Sequence, residues 1–228
     1  MVDGVNNVLV GSGTGDALTD ADNNTAVGYL ALSGDTQGSR STAIGYEALS
    51  AQNFSTATNS YTTAVGFQAG KAITTGIQNT IIGAAAGDAL TDADYNIAIG
   101  VEALGQDTKG NKSVAIGYAA LYVQNQTTST DTHNVAVGHE AGKDTTTAIE
   151  NTFLGSLAGN NITSGGRNVA IGKEAMNNQT DASNNIAIGF QSHYSNNGSN
   201  NVAVGWQAML LSTGADDCVA VGREALED

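Results

Sequence analysis

Proline is absent from the 228 residues of the sequence. Because proline cannot donate to the hydrogen-bond ladder of a β-sheet, its absence is typical of strands whose N–H groups are all paired. The single cysteine, Cys218, excludes a disulfide within the chain and disfavours thiol chemistry. No apolar run approaches the roughly 20 residues that span a bilayer, so we expect no direct insertion into a membrane.

Positive charge is scarce as well. The chain has 8 Lys and Arg against 22 Asp and Glu, which gives a formal net charge of -14. Nucleic acids and anionic membranes carry negative charge themselves, so this balance argues against either as a partner.

The sequence also lacks the patterns that enzymes use. Its only histidines, His133, His139 and His193, do not have the spacing of a metal-binding helix motif. No G-x-S-x-G turn for a nucleophilic serine occurs. We therefore predict that the protein is not an enzyme and has no catalytic residue.

What the sequence has in abundance is one short motif, seen in plain form at Asn24–Gly28. It occurs thirteen times, and its glycines recur after seventeen positions in most steps, after twenty-one in two steps and after sixteen in one. Short units at a fixed period stack on their neighbours and bury a shared core. We predict an all-β fold, a β-solenoid of about thirteen coils that forms one domain over residues 1–228. The repeat glycines are Gly11, Gly28, Gly45, Gly66, Gly83, Gly100, Gly117, Gly138, Gly155, Gly172, Gly189, Gly205 and Gly222.

A longer period is superimposed on the short one. Gly11, Gly83 and Gly155 are seventy-two positions apart, which predicts a super-repeat of four coils. Two coils carry four extra residues, within 50–61 and 122–133, and we expect them to bulge outward. In the first coil of each block a large residue replaces the usual alanine of the motif, and the residue after the glycine is small. This exchange predicts that the two columns share packing space. The large residues are Leu9, Ile81 and Phe153, and the small ones are Ser12, Ala84 and Ser156.

The motif has two faces when it is read as a strand. A β-branched residue such as Thr25 and an aliphatic residue such as Val27 share one face, because side chains alternate along a strand. The other face carries alanine in ten copies and asparagine in nine, as at Ala26 and Asn24. None of the motif positions is charged in any copy. We therefore expect both faces to be covered, one by the coil's own interior and the other by a second layer.

The position after the repeat glycine is often aromatic. Aromatic residues at a fixed place in each coil are expected to stack along a solenoid. The alternative is that they contact a ligand such as a sugar, or a neighbouring chain. These residues are Tyr29, Tyr46, Phe67, Tyr118, Phe190 and Trp206.

Clustered aspartates form the only candidate metal site. The string at 15–22 returns unchanged at 87–94, and its carboxylates offer oxygen ligands of the kind that Ca²⁺ prefers. A complete calcium-binding loop pattern is absent, so acidic solvent-exposed turns are the alternative, and we expect no other cofactor. The candidate ligands are Asp16, Asp20, Asp22, Asp88, Asp92 and Asp94.

The motif resembles repeats of known attachment proteins. The strings at Ser113–Gly117, Asn134–Gly138 and Asn168–Gly172 resemble the head repeats of YadA-like trimeric autotransporter adhesins, and Asn24–Leu32 resembles repeats of bacteriophage tail fibres. This resemblance implies a left-handed parallel β-roll in a homotrimer, displayed outside the cell, at a cell surface or on a virion. It also implies that neighbouring chains cover the alanine face. We expect the chain to be a segment of a longer fibrous protein.

Three functional hypotheses follow. The first is a structural and adhesive fibre module that attaches to a cell or surface through an unidentified receptor or glycan. The second is a carbohydrate- or ice-binding solenoid that uses a flat, regular face. The third is a subunit of a self-assembling extracellular filament.

Overall fold

The computed structural model describes residues 4–195, 197–212 and 214–227. This part of the chain contains seventeen short strands and no helix. Thirteen strands have three residues, and each ends at the residue before a repeat glycine. The strands are β1 (Val8–Val10), β2 (Thr25–Val27), β3 (Gly38–Ser39), β4 (Thr42–Ile44), β5 (Thr58–Asn59), β6 (Thr63–Val65), β7 (Thr80–Ile82), β8 (Ile97–Ile99), β9 (Gly110–Asn111), β10 (Val114–Ile116), β11 (Thr130–Asp131), β12 (Val135–Val137), β13 (Thr152–Leu154), β14 (Val169–Ile171), β15 (Ile186–Ile188), β16 (Val202–Val204) and β17 (Val219–Val221).

The three-residue strands form one parallel sheet in chain order. Each strand pairs with the same residues of the next coil, so that Thr25 lies opposite Thr42 and Ala26 opposite Ala43. This stacking confirms the predicted β-solenoid with its 17-residue period. The repeat glycines lie against one another: Gly138 has φ +145°, and a Cβ atom there would collide with the carbonyl oxygen of Gly155. Only glycine fits where successive coils approach so closely.

The alanine and asparagine columns point into the coil. Ala26 and Asn24 are completely buried. The side-chain amide of Asn24 donates to the carbonyl of Gly38 at 2.9 Å, and its carbonyl oxygen accepts the N–H of Ser41 at 2.8 Å. Because a buried amide without partners would cost free energy, these bonds are what allow asparagine inside the coil.

The β-branched columns point outward, so the expectation that neighbouring chains cover the alanine face was wrong. The alanines are shielded by their own coil and not by neighbouring chains, while Leu154 of the opposite face is 47% exposed. The reason is the narrow interior of the coil. Ala31 and Leu32, on the wall after the glycine, are also completely buried. A leucine there leaves room across the interior for a methyl group, and not for two columns of valine and isoleucine.

The predicted exchange of volume also involves a different partner. The residue after the repeat glycine is at least partly exposed, as at Ser12, Ala84 and Ser156, whereas Phe153 is completely buried. Phe153 instead occupies space left by two glycines, since a Cβ atom at Gly142 would lie 2.6 Å from its Cδ2 and one at Gly159 would also collide with the ring. In other coils leucine fills this position, as at Leu49 and Leu121. A large residue in the strand is therefore matched by glycine at the corner, four residues after the repeat glycine, and in coils such as those of Leu49 and Leu121 alanine in the strand is matched by leucine at that corner.

The two longer coils extend outward as predicted. Residues 55–57 and 127–129 are exposed. After each loop a two-residue strand pairs with the preceding coil, β5 with β3 and β11 with β9. The extra residues thus leave the main sheet unchanged.

Candidate functional site

The largest candidate surface is the outward side of the thirteen-stranded sheet. We call it the strand face, and it consists of the first and the third residue of each three-residue strand. They are all Val, Ile, Leu or Thr, and none carries a charge. Ile82 is 39% exposed and its neighbours in the column are at least partly exposed. A chain with a net charge of -14 thus keeps one long stripe of its surface entirely neutral.

Threonine is concentrated at one end of the strand face. Thr25, Thr42, Thr63 and Thr80 lie in register on consecutive strands, and we call them the threonine row. Within the described residues their hydroxyls make no hydrogen bond to protein groups, which leaves them available to water or a ligand. On later strands this column is mostly valine or isoleucine.

The aromatic residues after the repeat glycines form stacks, as predicted. The ring centroids of Tyr29 and Tyr46 are 5.3 Å apart, and those of Tyr46 and Phe67 are also 5.3 Å apart. Further along, Tyr118 stacks on His139, and Phe190 stacks on Trp206. We call this position the ring column. Its rings are stacked face to face along the rod and expose their edges, and their contact with a ligand or another chain stays a prediction.

Cations complete the ring column at its C-terminal end. The ammonium of Lys173 lies 6.0 Å from the ring centroid of Phe190, and the guanidinium of Arg223 lies 4.7 Å from that of Trp206. Both cations occupy the ring column themselves, one coil before and one coil after the two rings. Attraction between a cation and an aromatic face extends the stack in both directions.

An ion pair accompanies the first ring stack. Glu47 accepts a hydrogen bond from Lys71 at 2.7 Å and one from Gln68 at 2.9 Å. The bond from Lys71 is the main reason that the pKa of Glu47 is lowered. The negative charge of Glu47 raises the pKa of the neighbouring Tyr46 hydroxyl. Both groups lie near water, so these are properties of a surface and not of an enclosed site.

The structure does not gather the candidate calcium ligands. Asp22 accepts the N–H of Val5 at 2.7 Å, and Asp94 accepts that of Ile77 at 2.8 Å, so each carboxylate links two coils. Burial raises the pKa of Asp94 and that of Asp88. Asp92 lies 3.7 Å from Lys109, while Asp16 and Asp20 are exposed. Among the described residues no three His, Cys, Asp or Glu side chains form a group that could hold a metal ion.

Two buried carboxylates were missed in the sequence. Asp35 is completely buried, and its Oδ1 accepts the N–H groups of Gly38 at 3.0 Å and Phe54 at 3.1 Å. Its Oδ2 accepts Nε2 of Gln52 at 2.6 Å. Asp107 makes the equivalent bonds in the next four-coil block. The sequence does contain a sign of this pair, because both the aspartate and the glutamine recur after seventy-two positions. Their hydrogen bonds hold the start of each long loop.

One histidine is buried in the interior. His193 stands at the corner where other coils have leucine, methionine or glycine, and its side chain and main chain contact the amide of Gln179. Burial lowers its pKa from 6.5 to about 4, so the ring is neutral at physiological pH. The other two histidines, His133 and His139, are exposed.

The described residues enclose no pocket. Within 4–195, 197–212 and 214–227 there is also no helix of the length and hydropathy that would cross a membrane. The surfaces available for function are therefore open ones: the strand face, the ring column and the two long loops. Comparison with family models, curated proteins and solved structures finds no match to this chain.

Proposed function

We propose that the chain is a structural and adhesive fibre module in which three copies pack side by side through their strand faces. The observation that carries this proposal is the neutral strand face, two positions on each of thirteen strands without one charge on a strongly acidic chain. Exposed charges are the usual protection of a β-surface against association, and their complete absence favours a covered surface. The number three comes from the resemblance to trimeric adhesin repeats.

The length of the strand face supports association. Thirteen strands at about 4.8 Å each give a stripe roughly 60 Å long. Each half-exposed valine or isoleucine still offers apolar area, and burial stabilises by about 25 cal/mol per Å². Many such contributions along one straight stripe add up to a continuous contact without a single deep pocket.

The rod would hold its long loops away from the particle or cell that carries it. In this proposal the fibre lies outside the cell or on a virion, and residues 55–57 and 127–129 provide variable surface for attachment. The protein has no catalytic role in it. The buried networks around Asp35 and Asp107 support the proposal, because they fix the loops to a rigid support.

The molar mass in solution tests the association. We expect light scattering to give three times the 23.0 kDa of one chain over a wide concentration range. Ile82→Lys, which places a charge in the strand face, should shift the mass towards that of one chain. Ala57→Lys, on an exposed loop, is the matched control and should leave the mass unchanged. A wild-type mass of one chain at every concentration contradicts the proposal, and a mass that grows with concentration favours a filament.

A second candidate function rests on the threonine row. Four hydroxyls at regular spacing beside Val27, Ile44, Val65 and Ile82 resemble the flat arrays required of an ice- or carbohydrate-binding face. Inhibition of ice recrystallisation by the wild-type chain, lost in Thr63→Lys, would favour this function. If the strand face is covered by other copies, both proteins should be inactive in that assay.

A further inference from the structure

The ring column is interrupted at Ala84 and Val101, and again at Ser156. After the stack that ends at Phe67, the next coil has Ala84 followed by Ala85, and the coil after that has Val101. Phe67 is 52% exposed and Val101 is 46% exposed. We call this gap the alanine notch, with the two alanines as its floor and Phe67 and Val101 as its walls.

The alanine notch has the width of one planar group. The ring centroids of the stack that ends at Phe67 are 5.3 Å apart from coil to coil, and Phe67 and Val101 are separated by two coils, or about 10 Å. A flat group placed midway would lie against the outer face of the Phe67 ring and against the methyl groups of Val101. The floor is unusually open, because the residue beside the ring column is Leu, Gln or Glu in most other coils.

The charge around the alanine notch is negative. The N–H of Glu102 donates to the carbonyl of Ala84 at 3.0 Å, which places Glu102 on the rim. Asp88 lies in the same coil as the floor. The pKa of Asp88 is raised mainly by burial, and the negative charge of Glu102 raises it further. Within the described residues the Glu102 carboxylate has no ion-pair partner. The nearby cation, Lys71, is already bound to Glu47 at 2.7 Å.

The same chain shows what packs against the end of a ring stack. Where the ring column continues with a charged residue, that residue is a cation over the ring: Lys173 on Phe190 and Arg223 on Trp206. The stack that ends at Phe67 is followed by Ala84, and among the described residues no cation lies over the Phe67 ring.

We propose that the alanine notch binds an arginine side chain of a partner protein, with the guanidinium plane stacked on Phe67 and its N–H groups donating to Glu102. Arginine fits better than lysine because its planar fork can both stack on a ring and donate to a carboxylate. A sugar could stack equally well but would leave the negative rim unpaired. The proposal does not depend on trimer formation, since the ring column is separate from the strand face.

Titration of the full chain with a short blocked peptide, acetyl-Gly-Arg-Gly-amide, tests the proposal. Phenylalanine-labelled protein gives NMR signals from four rings. Phe54 and Phe153 are buried, so only Phe67 and Phe190 are accessible to the peptide. We expect the Phe67 signals to shift and the Phe190 signals to stay, because Lys173 already occupies the latter ring. The same peptide with citrulline, a neutral isostere of arginine, should bind at least about fivefold more weakly.

Variants separate the contributions to this binding. Glu102→Gln should weaken the arginine peptide about fivefold while the citrulline peptide is unaffected. Ala84→Arg supplies the cation from the chain itself and should abolish binding, and a melting temperature close to that of wild type would show that the variant is folded. Equal binding of the two peptides, binding that survives Ala84→Arg, or Phe67 shifts with a methyl glycoside and none with the arginine peptide would each overturn the proposal.

Discussion

The side-chain carbonyl of Asn151 accepts the backbone N–H of Asn168 at 2.9 Å. Asn168 repeats the bond with Asn185 at the same distance, so each buried asparagine holds the next one along the rod. The side-chain amide of Asn168 also donates a hydrogen bond to the backbone carbonyl of Ala182 at 2.8 Å. The interior of the solenoid is thus joined by side chains as well as by the strand ladder.

Asn168→Ala tests the importance of this ladder. The change leaves the N–H of Asn185 and the carbonyl of Ala182 buried without partners, and we expect it to lower the free energy of unfolding by about 3 kcal/mol. Denaturant unfolding followed by circular dichroism measures the loss. Asn178→Ala, at an exposed position, should cost less than about 0.5 kcal/mol. Equal losses in the two variants would contradict a structural role for the buried amides.

The balance of interior volume predicts a coupling between Gly142 and Phe153. Leucine at residue 142 is compatible with the backbone, since Leu121 has φ 50° at the same corner, but it collides with the Phe153 ring. We expect Gly142→Leu to cost about 2 kcal/mol and Phe153→Ala about 4 kcal/mol. The double variant restores the leucine-and-alanine pair of other coils and should be more stable than Phe153→Ala alone. Additive losses in a double-mutant cycle would show that the two positions do not share space.

Asp107 should control the order of the second long loop. In Asp107→Ala the N–H groups of Gly110 and Gln126 and the amide of Gln124 lose their acceptor, which we expect to cost about 3 kcal/mol. Limited proteolysis should then cleave at 127–129 faster than in the wild type. Asp144→Ala removes a partly exposed carboxylate and serves as the control. Unchanged cleavage after Asp107→Ala would mean that the loop is held by other contacts.

His193 predicts a loss of stability in acid. Its pKa is 6.5 when unfolded and about 4 in the folded chain, so between these values the unfolded chain binds a proton that the folded chain does not. The free energy of unfolding should therefore fall as the pH drops through this window, by up to about 3 kcal/mol. The raised pKa of Asp94 acts in the opposite direction, and the comparison with a variant isolates the histidine.

The variant is His193→Leu, which introduces the residue found at the same corner in Leu49 and Leu121. Unfolding measured at pH 7 and at pH 4.5 should show a smaller decrease for the variant than for the wild type. The same decrease in both proteins would assign the acid sensitivity to other groups.

The period of the solenoid could be predicted from the sequence, and the orientation of its strands could not. The spacing of residues such as Gly138 and Gly155 is fixed by contact between their backbones, so it appears directly as a sequence pattern. Alternation along Thr25, Ala26 and Val27 tells which residues share a face, but not which face is inside. That choice depends on the width of the coil, which is set by Leu32 across the interior.

The candidate surfaces were predicted to different extents. The stacking of Tyr29, Tyr46 and Phe67 follows from one ring at the same place in each coil. The burial of Asp35 does not follow, because an aspartate among the turn-forming residues of 33–38 is typical of an exposed turn. Its acceptors are matched to donors from residues up to 19 positions away, and no local pattern records that match.

The two long loops are held at a fixed spacing along the rod, which makes the rod suitable for presenting foreign peptides. The shortest coil and the two longest ones all keep their three-residue strands in the same sheet. The connector between strands can therefore differ in length without disturbing the neighbouring coils. Residues 55–57 and 127–129 are four coils apart, about 19 Å along the axis. Two grafted epitopes would be held at that fixed interval, and adding further four-coil blocks would lengthen the array in equal increments.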